Sequence, residues 1–181
     1  MQEPTVCPIS ISKAVSDTKQ QLQIIQTVGA IFSDQNIPYW LRGGWALDFL
    51  LGRVTRPHSD IDLICWSDDK DQIIKLLTEN RFSLGRDLGI QVDFHWAKHE
   101  ISVVFISLDE QENVYVKGIP TWRWLPDALT HPPQTLNGLT CPVLSPAQLL
   151  EEKEGYEQGT GRPLRPKDHQ SIHLLKTCLT H

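Results

Sequence analysis

Two aspartates one residue apart, in Ser59-Asp60-Ile61-Asp62-Leu63, carry the densest chemical signal in this chain. An apolar run continues to Trp66, so Asp60 to Trp66 reads as a β-strand. Alternate side chains of a strand share a face, which sets the two carboxylates roughly 6–7 Å apart and pointing the same way. Such a pair repels itself unless a cation lies between, and a solvated sheet edge is the simpler alternative. Oxygen ligands suit hard divalent ions, and Mg²⁺ is usually held by one or two carboxylates together with substrate phosphates. A second signal precedes it. In Leu41-Arg42-Gly43-Gly44-Trp45-Ala46-Leu47-Asp48, a glycine pair stands between a short strand, Tyr39 to Leu41, and a helix from Trp45 to Leu51. Glycine lets a phosphate come close to the backbone, and a helix N-terminus offers free N–H groups and the positive end of its dipole. A phosphate cradle beside metal carboxylates is what nucleotidyl transfer requires.

The elements that must position these residues follow from hydrophobic spacing. Leu22, Ile25, Val28, Ile31 and Phe32 recur at helical steps within a helix from Val15 to Asn36, which Pro38 closes. Gly52 stops the Trp45 helix, and residues 53–58 form a polar loop broken by Pro57. A helix after Ser67-Asp68-Asp69 buries Ile73, Leu76 and Leu77 and ends near Asn80. Phe82 to Leu84, Ile90 to Trp96 and Ile101 to Leu108 read as strands, the last apolar enough to be covered on both faces. From 111 to 144 the pattern weakens under Pro120, Pro126, Pro132 and Pro133, and a loop-rich segment is expected. Ser145-Pro146-Ala147-Gln148 is a strong helix start, with the helix running to about Gln158. Lys167 to Leu179 forms a closing helix. The succession predicts an α+β (mixed α/β) fold in one domain over residues 1–181, with a core at about 15–110 and a helical part at 145–181.

Composition narrows the class. With 181 residues, 40% of them hydrophobic, the chain can bury one substantial core. A net charge of −5 argues against a broad nucleic-acid face. Cys7, Cys65, Cys141 and Cys178 lie far apart and read as reduced thiols of a cytoplasmic protein. Met1 to Pro8 has no signal-peptide core, and no apolar run is long enough to span a membrane.

The run Gly43-Gly44-Trp45-Ala46-Leu47-Asp48, with Gly52-Arg53-Val54-Thr55-Arg56-Pro57-His58-Ser59-Asp60-Ile61-Asp62-Leu63, resembles the signature of nucleotidyltransferase-fold enzymes. Within them it is most similar to the aminoglycoside 2''-adenylyltransferase and lincosamide nucleotidyltransferase group. The resemblance is continuous from about Pro38 to Leu77. It returns more weakly at Leu149-Leu150 with Lys153 and at Arg165-Pro166-Lys167-Asp168. It implies a small mixed sheet flanked by helices, ATP bound as its Mg²⁺ complex, and an adenylyl group passed to a hydroxyl of a small-molecule acceptor such as an antibiotic. Gly43 and Gly44 would sit against the triphosphate, Asp60 and Asp62 would ligate metal, and Lys153 or Lys167 would reach the phosphates. The resemblance departs at the third acid. Its expected strand, Ile101-Ser102-Val103-Val104-Phe105-Ile106, holds none. Asp93 on the neighbouring strand is the first candidate to supply it, then Asp109 or Glu110. Without a third acid the chain would use another base such as His95, or bind nucleotide without chemistry as a regulator. An acceptor on a protein or tRNA, as in toxin-like relatives, keeps the chemistry but lacks a basic surface here.

Other residues have quieter readings. Arg56 is the arginine best placed for phosphate, ahead of Arg42 and Arg53, which read as surface charges. His58 suits a loop-ordering hydrogen bond. His169 and His173 share a helix face with no third ligand nearby, and read as exposed. Trp122 and Trp124 could stack on an acceptor ring, although core packing is the commoner use of such residues.

Overall fold

The computed structural model describes residues 8–180. Cys7 and most of the Met1–Pro8 stretch therefore lie outside the described residues. Helix α1 (Pro8–Asp34) leads into strand β1 (Tyr39–Arg42), which passes without a loop into α2 (Gly43–Leu51). Strand β2 (Asp60–Trp66), a turn of 3-10 helix (Ser67–Asp69) and α3 (Lys70–Glu79) follow. Then come β3 (Ser83–Asp87), β4 (Gln91–Trp96) and β5 (His99–Leu108). The main sheet runs β1-β2-β5-β4-β3, with β2 and β5 parallel and the other pairs antiparallel. This is the mixed sheet with flanking helices that the resemblance implies, within the α+β class that the order of elements predicts.

The centre of the sheet is buried on both faces, as the apolar run in β5 requires: Ile101, Val103, Phe105 and Ile106 are all inaccessible to solvent. Trp45, Phe32, Phe49 and Phe94 complete the core beside them, each burial contributing on the order of 2–3 kcal/mol. Helix α2 stops where Gly52 takes a left-handed conformation at φ 64° and its N–H closes on Asp48 and Phe49, a termination natural to glycine.

The segment expected to be loop-rich is instead two hairpins. Strands β6 (Val114–Val116) and β7 (Ile119–Arg123) extend the main sheet along β5, beginning at Ile106 where β4 has ended. Strands β8 (Gln134–Leu136) and β9 (Leu139–Cys141) form a separate ladder. The helix after Ser145 also differs. Ser145 caps it as expected, its hydroxyl accepting the Gln148 N–H at 3.1 Å. The Gln148 side chain does not return the bond, because its carbonyl accepts the Leu125 N–H at 2.9 Å. The helix breaks at Gly155 into α4 (Pro146–Glu154) and α5 (Tyr156–Thr160), and α6 (Pro166–Leu179) closes the fold. Cys65, Cys141 and Cys178 form no disulfide with one another. Among the described residues, no helix is long and apolar enough to cross a membrane.

Candidate active site

The junction between β1 and α2 meets the start of β2, and the register there is exact enough to read as rows. Arg42 of β1, Asp62 of β2, Ser102 of β5 and Asp93 of β4 are successive cross-strand partners. Cross-strand partners share a face, so these four side chains form one line. Asp60, Glu100 and His95 form the next row on that face. The four-residue apolar strand β1 places Arg42 and the glycine pair at its end, and the Asp-x-Asp spacing aims both acids at the same side.

Gly43 has φ 67°, and a Cβ on it would lie 2.5 Å from Asp62 Oδ2. Only glycine therefore lets the carboxylate rest against the start of α2. A Cβ on Gly44 would meet the His58 ring and lie 2.7 Å from Arg56 Nη2. The close approach permitted by the pair is thus taken up by the protein's own site side chains. Behind it the loop is fixed by buried polar contacts. Asp48, fully buried, bonds His58 Nε2 at 2.6 Å and accepts the Thr55 N–H at 3.1 Å and the Thr55 hydroxyl at 2.6 Å. Trp45 packs on the His58 ring at 4.6 Å, and Gln21 ties both down by accepting the Trp45 indole N–H and donating to the His58 carbonyl. His58 thus orders the loop, and Arg56 is held over Gly44.

Burial pushes the Asp62 carboxyl up to about 6, with Asp60 and Glu152 adding to the shift and Arg42 and Lys153 opposing it. No hydrogen bond to the carboxylate contributes to holding the charge. A half-buried acid beside another acid, with oxygen as its only donor atom, is chemically matched to a hard divalent cation. The residues present fit Mg²⁺, with Asp60 and Asp62 as its holders. Among the described residues, no group of three His, Cys, Asp or Glu is arranged to hold a metal, so a third carboxylate does not complete the pair.

Asp93 lies in the Asp62 row, two strands away and 1% exposed. Its Oδ1 accepts from Gln91 Nε2 at 2.6 Å and Ser102 Oγ at 2.9 Å, and its Oδ2 accepts from Arg86 Nε at 3.1 Å and forms an ion pair with Arg86 Nη2 at 3.0 Å. These donors hold its carboxyl below the usual range despite burial. The two alternative acids are placed elsewhere. Asp109 sits at the far end of β5, roughly 20 Å along the strand from Ser102, where it takes the Gln111 and Asn113 N–H groups and pairs with Arg123. Glu110 is exposed in the same turn. His95 shares the Asp60 row but stands two strands away.

The helical layer brings in residues that sequence reasoning missed or undervalued. Arg42 is not a surface charge: its Nε bonds Glu152 Oε2 at 2.8 Å, while its charge acts on Asp62. Lys153 reaches Asp168 at 2.7 Å and also bears on Asp62. Asp168, inaccessible to solvent, receives Arg165 as well, at 2.7 Å and 3.2 Å, and its carboxyl is held well below the usual range by Arg165 and Lys153 against the effect of burial. Arg165 lies across the Tyr156 ring and senses the charge of Asp60. Lys167 stands half-buried in the first turn of α6. His169 and His173 are exposed on α6.

A cleft of about 460 Å³ opens beside this layer, lined by Arg42, Glu151, Glu152, Tyr156 and Trp122 among others. The two tryptophans part company here. Trp124, 9% exposed, belongs to the core and meets the cleft only from its floor, while Trp122 is 40% exposed and forms a cleft wall, its ring 2.7 Å from where a Cβ on Gly159 would sit. Through Arg42 and Glu152 the cleft adjoins Asp62.

Comparison with known proteins places this geometry. A 2''-aminoglycoside nucleotidyltransferase of Escherichia coli is 51% identical over 43 residues, a match covering 24% of each chain. A lincosamide resistance protein of Staphylococcus haemolyticus is 32% identical over 66 residues, 36% of each chain. The matched stretch thus spans about a quarter to a third of the length of these curated relatives. Among solved structures, ANT(2'')-Ia in complex with adenylyl-2''-tobramycin superposes with a TM-score of 0.75 at 20% identity, over 88% of this chain and 90% of that one. The lincomycin-bound lincosamide antibiotic adenylyltransferase LnuA superposes with a TM-score of 0.69 at 21% identity, over 88% and 96%. These likenesses show the shared fold. The family model for aminoglycoside-2''-adenylyltransferase matches residues 24–175, nearly the whole of the architecture described above, and the chain belongs to that family.

Proposed function

We propose that this protein transfers a nucleoside monophosphate, AMP from Mg²⁺-bound ATP, to a hydroxyl of a small-molecule acceptor, an aminoglycoside or lincosamide antibiotic, in the cytoplasm. The observation that carries the reading is the Asp60–Asp62 pair. Two carboxylates share a strand face, and the inner one is raised to about 6 and rests against the start of α2. When bound, the divalent ion supplies neutralisation of the charge that shifts onto the leaving pyrophosphate. Gly43, Gly44 and Arg56 grip the triphosphate, and Lys153 and Lys167 approach it from the helical layer. Asp93 lends its charge to the site from the neighbouring strand, through the Ser102 hydroxyl it holds. The cleft takes the acceptor, with Trp122 offering a ring face and Glu151 and Glu152 favouring a cationic amine. Catalysis is then mainly a matter of position and charge.

Pyrophosphate release measured with Mg²⁺, each NTP in turn and a panel of aminoglycosides and lincosamides tests the reading. Acceptor-dependent release is expected, and it should vanish in Asp60→Ala and Asp62→Ala. Nucleotide binding without turnover on any acceptor would favour a second reading, a nucleotide-binding regulator, for which the absence of a three-acid cluster among the described residues speaks.

A further inference from the structure

The row Arg42–Asp62–Ser102–Asp93 contains an asymmetry that the acids alone do not explain. Asp93 accepts three hydrogen bonds, from Gln91 and Ser102 on Oδ1 and from Arg86 Nε on Oδ2, and Arg86 Nη2 forms an ion contact with Oδ2 as well. A carboxylate has about four lone-pair sites, and these partners occupy both oxygens. It could bind a cation or take a proton only by releasing a partner, and Arg86 holds it in the charged form. Asp93 is therefore built as a fixed acceptor rather than as a free base.

Ser102 is what that acceptor fixes. Its hydroxyl proton is committed to Asp93 at 2.9 Å, and the Gln91 amide approaches its oxygen weakly at 3.4 Å. With the proton turned toward Asp93, Ser102 has only lone pairs left for its other neighbour in the row, Asp62. Parallel strands bring those two residues to roughly 4.8 Å between backbones. Asp60, Asp62 and Ser102 thus present oxygens on one sheet face, and Ser102 has no proton to offer the other two. That is an all-oxygen donor set completed by a hydroxyl, a ligand type magnesium accepts in nucleotide sites.

We propose that Ser102 Oγ is the third protein oxygen of the cation site, and that Asp93 is a positioning residue acting through it. A charge-assisted acceptor behind the hydroxyl orients the lone pair and makes the oxygen more basic, as outer partners do for metal ligands generally. The two residues thereby replace a single acid on β5 with a serine on β5 and an acid on β4. This inference rests on the nucleotidyltransferase reading of the site.

Binding of Mn²⁺ to the full-length protein, titrated calorimetrically with a non-hydrolysable ATP analogue present, tests it without turnover. Ser102→Ala should weaken Mn²⁺ by about tenfold, in the range found for lost outer partners of a metal site. Asp93→Asn should weaken it similarly, and the double variant should be little worse than either, because one oxygen is being removed by two routes. Moving the acid, in Ser102→Asp combined with Asp93→Asn, should restore affinity to within about threefold of the native protein. Arg86 is 70% exposed in its side chain and can hydrate when Asp93 is neutralised, and melting by circular dichroism confirms folding of each variant. Unchanged Mn²⁺ affinity in folded Ser102→Ala would overturn the assignment of Ser102. Failure of the relocated acid to restore binding would overturn the role of Asp93. A native protein that binds neither Mn²⁺ nor the analogue would instead overturn the functional reading, and this one with it.

Discussion

Asp62 and Asp168 are neighbours of the same lysine, Lys153, yet the fold treats them in opposite ways. Asp168, in the helical layer, receives Lys153 and two bonds from one edge of the Arg165 guanidinium, and its acidity is strengthened. Asp62, on the sheet, stands next to another acid, shares Arg42 with Glu152, and is raised to about 6. One carboxylate is closed by protein and holds α4 and α6 together. The other is left incomplete. Satisfied charge marks structure in this molecule, and unsatisfied charge marks the place where a ligand is expected.

Neutralising Asp62 should move activity and stability in opposite directions. Asp62→Asn should lower kcat/KM for nucleotidyl transfer by more than about 1000-fold, on the scale of other charge-stabilising groups, yet raise the thermal midpoint because a repulsive buried charge is gone. A fall in both quantities would show that Asp62 is structural after all. Asp168→Asn should act the other way, costing about 3 kcal/mol because two cations lose their buried partner. For a chain of this size that is a midpoint lower by roughly 6–12 °C. A variant of unchanged stability would remove the contrast.

Acidity offers a gentler test with opposite signs. Asp62 has a raised value in the fold, so the native state binds the extra proton between about 6 and the ordinary aspartate range. Its contribution therefore favours folding as pH falls through that window, while affinity for the metal–nucleotide complex drops by up to about tenfold per pH unit below 6. Asp168 has a lowered value, so its contribution is present above the ordinary aspartate range and is lost as pH falls toward the folded value. Urea titrations of native, Asp62→Asn and Asp168→Asn proteins across pH 3–7 separate the two. The smallest effect is expected in the cleft, where Trp122→Ala should raise the acceptor KM by about three- to fivefold with kcat retained, the worth of an exposed stacking contact.

The sheet was legible in the sequence wherever elements were long. The helical spacing of α1, the buried run of β5 and the Asp-x-Asp start of β2 all appear where periodicity puts them. The hairpins between 114 and 141 did not, since three of their four strands have only three residues, too short to show an alternation, and β7 carries Pro120. One signal was there to be used: Asn137-Gly138, with φ 50° and 80°, is the left-handed pair favoured by a tight hairpin. The site divides in the same manner. Gly43, Asp60 and Asp62 declare themselves by local spacing, as does the His58 loop. Arg42 reads as a surface charge until α4 brings Glu152 against it from 110 residues away. Asp168 and Ser102 likewise acquire their meaning from partners on other elements, through contacts that no spacing encodes.

Gly159 has so far been only a neighbour of Trp122. Its missing side chain leaves the room in which that indole stands, and a Cβ there would press on the ring at 2.7 Å. The place of the Trp122 wall is therefore set in part by Gly159, which lines the same cleft on α5, away from Asp60 and Asp62. Exchanging this one glycine would displace the indole and reshape the cleft, while Asp60 and Asp62 stayed as they are. Drug range and chemistry would then be inherited on separate residues, free to drift apart.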